Sequence, residues 1–115
     1  LLPDGSGLEI KCPQPTNHLA YLIDGEVPDE YKMQCYGGMF VTGAKWWTFM
    51  SYCRGFPPFI TVLERDEKIM EAIDQALAAF RDVFDAGWKT LVDANGGREP
   101  SRAAAVSADH NEHPF

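Results

Sequence analysis

Gly7-Leu8-Glu9-Ile10-Lys11-Cys12-Pro13 is the stretch on which the fold turns. Leu8 to Cys12 alternates apolar and charged residues, the period of a short strand, and Pro13 and Pro15 stop it. The alternation predicts Leu8, Ile10 and Cys12 on the core face and Glu9 and Lys11 together on the other. Just ahead, Asp4-Gly5-Ser6-Gly7 has the composition of a tight turn, with glycines free to take positive φ.

Residues 13–27 carry prolines, Asn17 and Gly25 without clean periodicity, which predicts a loop flanking the strand. Pro28 fits a first helical turn, and Asp29 and Glu30 favour the positive end of the helix dipole. That helix is expected to run to about Val41. Its facing stripe would be Tyr31, Gln34, Cys35, Gly38, Met39 and Thr42. Gly37 and Gly38 each cost a helix interior about 1 kcal/mol relative to Ala, so another backbone is expected close by.

Trp46 to Tyr52 is aromatic-rich and fits a second strand, Arg54 to Pro58 a turn, and Phe59 to Leu63 a third, largely buried strand. Asp66 is the expected N-cap of a long helix with the stripe Ile69, Ile73, Leu77, Phe80, Phe84, Trp88 and Leu91, ended by Gly96-Gly97. From Arg98 onward Ala, Ser, His and Pro follow no pattern. The predicted organisation is one domain over residues 1–95 and a disordered tail over 96–115.

The 115 residues suffice for one domain, and no apolar run approaches the roughly 18 residues a membrane span needs. The opening residues lack the charged-then-apolar pattern of a signal peptide. Leu rather than Met at position 1 suggests an excised or incomplete chain. Three cysteines cannot all pair, and none lies in a C-x-x-C arrangement, so reduced, mostly buried thiols in a reducing compartment are expected. The net charge of −7 counts against an extended nucleic-acid-binding face but permits basic residues held locally in a groove.

A carboxylate and an ammonium side by side at a strand end form half of a metal-dependent phosphodiesterase site. Such hydrolysis needs a hard cation, and Mg²⁺ is held by few carboxylates with waters and substrate oxygens completing its shell. Glu9 can supply one carboxylate oxygen, the carbonyl of Ile10 another ligand, and Lys11 can stabilise charge developing on the phosphate. The other half, an upstream acidic ligand, would have to sit at or before residue 1. By spacing alone an ordinary ion pair on a solvated strand face is the commoner reading of such a pair. A second E-x-K, Glu30-Tyr31-Lys32, falls on a helix, where residues two apart diverge.

Asp4 to Pro13 resembles the core of the lambda-type exonucleases, the YqaJ viral recombinase family within the PD-(D/E)xK nuclease superfamily. Three more segments are similar in order: Tyr31–Gln34 with Met39–Thr42, then Trp47, Phe49 and Tyr52, then Leu63–Met70. The likeness covers about residues 1–90. It implies an α/β fold, a restriction-endonuclease-like core truncated at its amino terminus, with a short mixed sheet flanked by helices. It further implies Mg²⁺ (or Mn²⁺) catalysis and 5′-to-3′ digestion of linear duplex DNA from its ends. A single-strand annealing recombinase as partner, a homo-oligomer, and the cytoplasm of a bacterium carrying a phage or prophage also follow. By position, Glu9 and the Ile10 carbonyl would bind metal, Lys11 would be catalytic, and Gln34 would sit beside the site. The family's motif Asp lies in a Ser-Pro-Asp-Gly turn ahead of the position of Leu1, and Asp4, at a hairpin tip, is not its replacement. The chain alone is therefore expected to be inactive. The rival readings are another PD-(D/E)xK endonuclease of restriction or repair type, and a catalytically dead remnant that binds DNA or a partner.

Adjacent Trp46 and Trp47 would point to opposite faces of a strand, one of them into the core. Met33 and Met39 are expected to be packing residues. His18, His110 and His113 lack partners at ligand spacing and are expected in solvent.

Overall fold

The computed structural model describes residues 1–99. In chain order they form β1 (Gly7–Lys11), α1 (Pro15–Asp24), α2 (Asp29–Thr42), β2 (Trp46–Ser51), β3 (Phe59–Glu64) and α3 (Glu67–Ala94). They divide into two compact units, one from Leu1 to Gln75 and one from Ala76 onward. The predicted tail falls outside the described residues, apart from the turn around Gly96 and Gly97.

In the first unit the strands make one mixed sheet in the order β1-β2-β3. β1 runs parallel to β2 with Glu9 opposite Phe49 and Lys11 opposite Ser51. β2 and β3 are antiparallel, joined through the turn at Arg54–Pro58. Parallel neighbours need a crossover, and α1 and α2 supply it. α2 packs on β1 and β2, and α1 on β3.

One sheet face is the core face. It carries Trp47, Phe49 and Ser51 of β2 and Phe59 and Leu63 of β3, packed with Tyr21, Cys35 and Met39 of the helices. Glu9 and Lys11, by register, lie on this same face. Leu8 and Ile10 point the other way and are 37% and 53% exposed, and Cys12 is exposed too. The predicted strand and its alternation stand, but the inward and outward faces are reversed. The helices cover the face that bears the charged pair, while Ile60 and Val62 share the open face with Leu8 and Ile10.

The expected loop 13–27 is instead mostly helix. Pro15 stands at its start, where its missing N–H costs nothing, and Gly25 ends it at φ 71°. The short stretch carries no long stripe, and two side chains three apart, His18 and Tyr21, do its burying. His18 is fully buried, not in solvent. Its Nδ1 lies 2.8 Å from the Ser51 hydroxyl and its Nε2 2.8 Å from the Pro57 carbonyl, so Nε2–H donates to Pro57. This bridge ties α1 to the end of β2 and to the turn beyond it.

Of the α2 stripe, Cys35 and Met39 are buried and Tyr31 and Gly38 half-buried, while Gln34 and Thr42 are exposed. What approaches Gly38 is a side chain rather than a backbone. A Cβ there would lie 2.5 Å from the Trp47 ring, and one at Gly7 would also collide with it. Gly37 faces open space. Trp47 packs against the core and Trp46 lies 41% exposed, as adjacent strand residues must diverge. Met39 is core, but Met33 is exposed. Arg65 closes the carboxyl end of α2 by donating from Nη1 to the Met39 carbonyl at 2.7 Å.

Asp66 caps α3, its Oδ1 accepting from the Lys68 N–H at 2.9 Å. Ile69, Met70 and Ile73 pack into the core of the first unit. In the second unit α3 continues with Phe80, Phe84 and Trp88 in a ladder of rings 5.9 and 6.1 Å apart, all solvent-exposed. Gly96 and Gly97 take positive φ at its end. Among the described residues no helix is long and apolar enough to cross a membrane.

Candidate active site

Period-two geometry brings Glu9 and Lys11 to one face of β1, and α2 roofs them. Glu9 Oε1 and Lys11 Nζ are 2.8 Å apart, with side chains 26% and 25% exposed. The hydrogen bond from Lys11 to Glu9 raises the lysine above its ordinary range. The pair is thus neither the freely solvated one of an ordinary strand face nor fully buried.

Two residues of α2 complete the roof. Lys11 Nζ lies 4.9 Å from the centroid of the Tyr31 ring. Cys35, one turn further, is buried; burial first and the Glu9 carboxylate second push its thiol up to about 11, with Lys11 pulling the other way. It is a neutral thiol at ordinary pH, and a soft one, unsuited to a hard cation.

The backbone adds an oxygen. The Lys11 carbonyl accepts from the Tyr52 N–H at 2.9 Å, so it points toward β2. Carbonyls alternate sides along a strand, which turns the Ile10 carbonyl to the free edge of β1. Glu9 and the Ile10 carbonyl therefore offer hard oxygen donors of the kind Mg²⁺ takes, and they fit a cation whose remaining ligands are water, phosphate or another carboxylate. Among the described residues no group of three or more His, Cys, Asp or Glu is arranged to hold a metal. Gln34 is on α2 one turn from Tyr31 but exposed, with no hydrogen bond to Glu9 or Lys11. Asp4 sits in the turn, where Ser6 donates to its Oδ1 from backbone and hydroxyl and holds its carboxyl below the usual range.

A cavity of about 810 Å³ opens elsewhere. Trp46, Thr48, Val62 and Glu64 line it together with Asp4 and Arg65, and by alternation those strand residues lie on the sheet face opposite Glu9 and Lys11.

Residues 3–45 match the model of the YqaJ-like viral recombinase domain, a span that includes Glu9, Lys11, Tyr31 and Gln34. The resemblance read from the strand is thereby shown. The fold agrees with it. An alkaline exonuclease from Laribacter hongkongensis, LHK-Exo, superposes with a TM-score of 0.77 at 30% identity over 84% of this chain and 52% of that one. The same enzyme in complex with dAMP gives 0.76 at 30% identity, over 84% and 51%. The chain thus spans about half the length of these solved structures, and its mixed sheet with flanking helices is that of a lambda-exonuclease-like fold. No curated protein matches the chain.

Tyr31 and Cys35 were legible as members of the α2 stripe, but not as neighbours of Glu9 and Lys11. That requires the crossover which lays α2 over β1. The His18–Ser51 bridge carried no sequence signal beyond an apolar Leu19 and Ala20 beside His18.

Proposed function

We propose that this chain supplies the Glu9–Lys11 half of a metal-dependent exonuclease site, acting on the ends of linear duplex DNA in a phage-type recombination system. The observation that carries it is the half-buried Glu9–Lys11 pair, 2.8 Å apart, inside the segment that matches the YqaJ-like domain. The Laribacter neighbour, an alkaline exonuclease by name and bound to dAMP in one structure, supports a nucleotide-releasing activity.

Glu9 and the Ile10 carbonyl would hold Mg²⁺ or Mn²⁺, which supplies Lewis acidity and lowers the pKa of an attacking water. Lys11 stays protonated, and its ammonium donates to the phosphate oxygens on which charge builds. The roof formed by α2 limits water around that ammonium and strengthens its interactions. Gln34 lies at the outer edge of α2, where its amide can meet the DNA rather than the cation. A 5′-to-3′ direction, an annealing recombinase as partner and a homo-oligomer complete the reading by family likeness.

The test is digestion of 5′-phosphorylated linear duplex by the protein as its gene encodes it. Cleavage with Mg²⁺ or Mn²⁺, its loss on chelation, and a spared closed circle are expected. Glu9→Ala should lower the rate by about 10²–10³-fold, the scale for removing one preorganised charge-stabilising element. Undiminished cleavage by that variant would refute the assignment, and a cut circle would make the protein an endonuclease.

A further inference from the structure

Lys11 has two attractive partners, and they behave differently when a cation arrives. Glu9 holds the ammonium at 2.8 Å now, but a carboxylate that ligates a cation gives up much of its pull on a lysine. The Tyr31 ring, 4.9 Å from Nζ, keeps its attraction because its negative face is not a metal ligand. The ring is itself fixed. It stacks on Phe49 at 5.7 Å with 22° between planes, and Phe49 is fully buried directly opposite Glu9 in the sheet. An uncharged holder has a further consequence. A second carboxylate in its place would neutralise the ammonium, whereas a ring orients it and leaves its full charge for an anionic substrate.

We propose that Tyr31 is a positioning residue: its ring face holds the Lys11 ammonium in line for phosphate while Glu9 is occupied by a cation. The inference rests on the nuclease reading above for its purpose, and on the Lys11–Tyr31–Phe49 geometry for its substance. The role assigned to Tyr31 is exerted through Lys11, the charged group its ring faces.

The experiment keeps ring shape and changes ring charge. Phenylalanine and pentafluorophenylalanine are placed at position 31 of the gene-encoded protein, beside Tyr31→Leu, with lysine labelled for NMR. In the native protein and Tyr31→Phe the Lys11 ε-methylene protons should be shifted upfield by the ring, with and without Mg²⁺. Pentafluorophenylalanine reverses the quadrupole at nearly constant packing, so its thermal midpoint should stay close to that of Tyr31→Phe. Its kcat should fall roughly five- to tenfold relative to Tyr31→Phe, with KM for duplex ends little changed, as expected for one lost cation–π contact. Tyr31→Leu should lose the upfield shift and fall at least as far. No upfield shift in the native protein, or full kcat in the fluorinated variant while Glu9→Ala is inactive, would overturn the role of Tyr31 and leave the nuclease reading intact. Full cleavage by Glu9→Ala would instead overturn that reading.

Discussion

Lys11 sits between two negative faces, the Glu9 carboxylate and the Tyr31 ring, and it is the one cation of β1. Its replacement by Met keeps most of the stem and removes the charge, so kcat should fall by about 10²–10³-fold, the cost of losing one preorganised donor to a developing oxyanion. Single-turnover digestion of labelled duplex ends separates this from weaker DNA binding, and an unchanged single-turnover rate would exclude Lys11 from the chemistry. The spacing of Glu9 and Lys11 was legible because side-chain alternation in a strand is local geometry. Gln34 was legible as a site residue only through family likeness, and its side chain is exposed on α2. His18 was misplaced at this scale, since an isolated histidine shows no sign in sequence of the hydroxyl and carbonyl that satisfy both its nitrogens.

At the scale of elements, α2 lies over the sheet through two kinds of contact, buried Cys35 and Met39 and the glycine notch at Gly38 that admits Trp47. The two adjacent glycines should respond oppositely to Ala. At Gly37 the new methyl meets nothing, and helix propensity should raise stability by about 0.5–1 kcal/mol. At Gly38 the same propensity gain competes with a Cβ 2.5 Å from an indole wedged against Gly7 as well. Overpacking costs about 1–3 kcal/mol and wins, so Gly38→Ala should destabilise by about 1–2 kcal/mol. Denaturant midpoints of the two variants check the contrast, and equal shifts of the same sign would refute the notch. α2 and α3 were readable because the 3.6-residue repeat is written in the residues themselves, and β2 through its aromatic content, whereas β3, expected to be largely buried, exposes Ile60 and Val62 on the open face of the sheet. α1 was not, because ten residues with two prolines at their approach give too few turns for a stripe.

At the scale of the whole molecule, buried Cys35 couples the core to pH. Its folded pKa of about 11 exceeds the ordinary thiol value of 9.0, so the thiolate is favoured in the unfolded chain. Stability is full below pH 9 and should decline as pH rises from 9 to 11, by on the order of 2 kcal/mol. Cys35→Ser or Cys35→Ala should flatten the decline, measured by denaturant titration across that range. An alkaline stability curve unaltered by these substitutions would assign the decline to other groups. Cys12, which is exposed, should react with a thiol reagent in the folded protein while Cys35 does not.

Local order was determined by the sequence alone: the β1 alternation, the α2 and α3 stripes, the caps at Asp66 and Gly96-Gly97, and the placing of an acid and an amine on one strand face. These depend on neighbours within a few residues, where backbone geometry dictates side-chain direction. Only the tertiary structure decided which face of the sheet is covered. It set Glu9 and Lys11 beneath α2 and left Leu8 and Ile10 exposed, against the expectation that apolar residues turn inward. It also brought Tyr31 over Lys11 and His18 to Ser51. Such contacts join residues 20 to 33 positions apart through a parallel crossover, and nothing in the local spacing of either partner encodes the other.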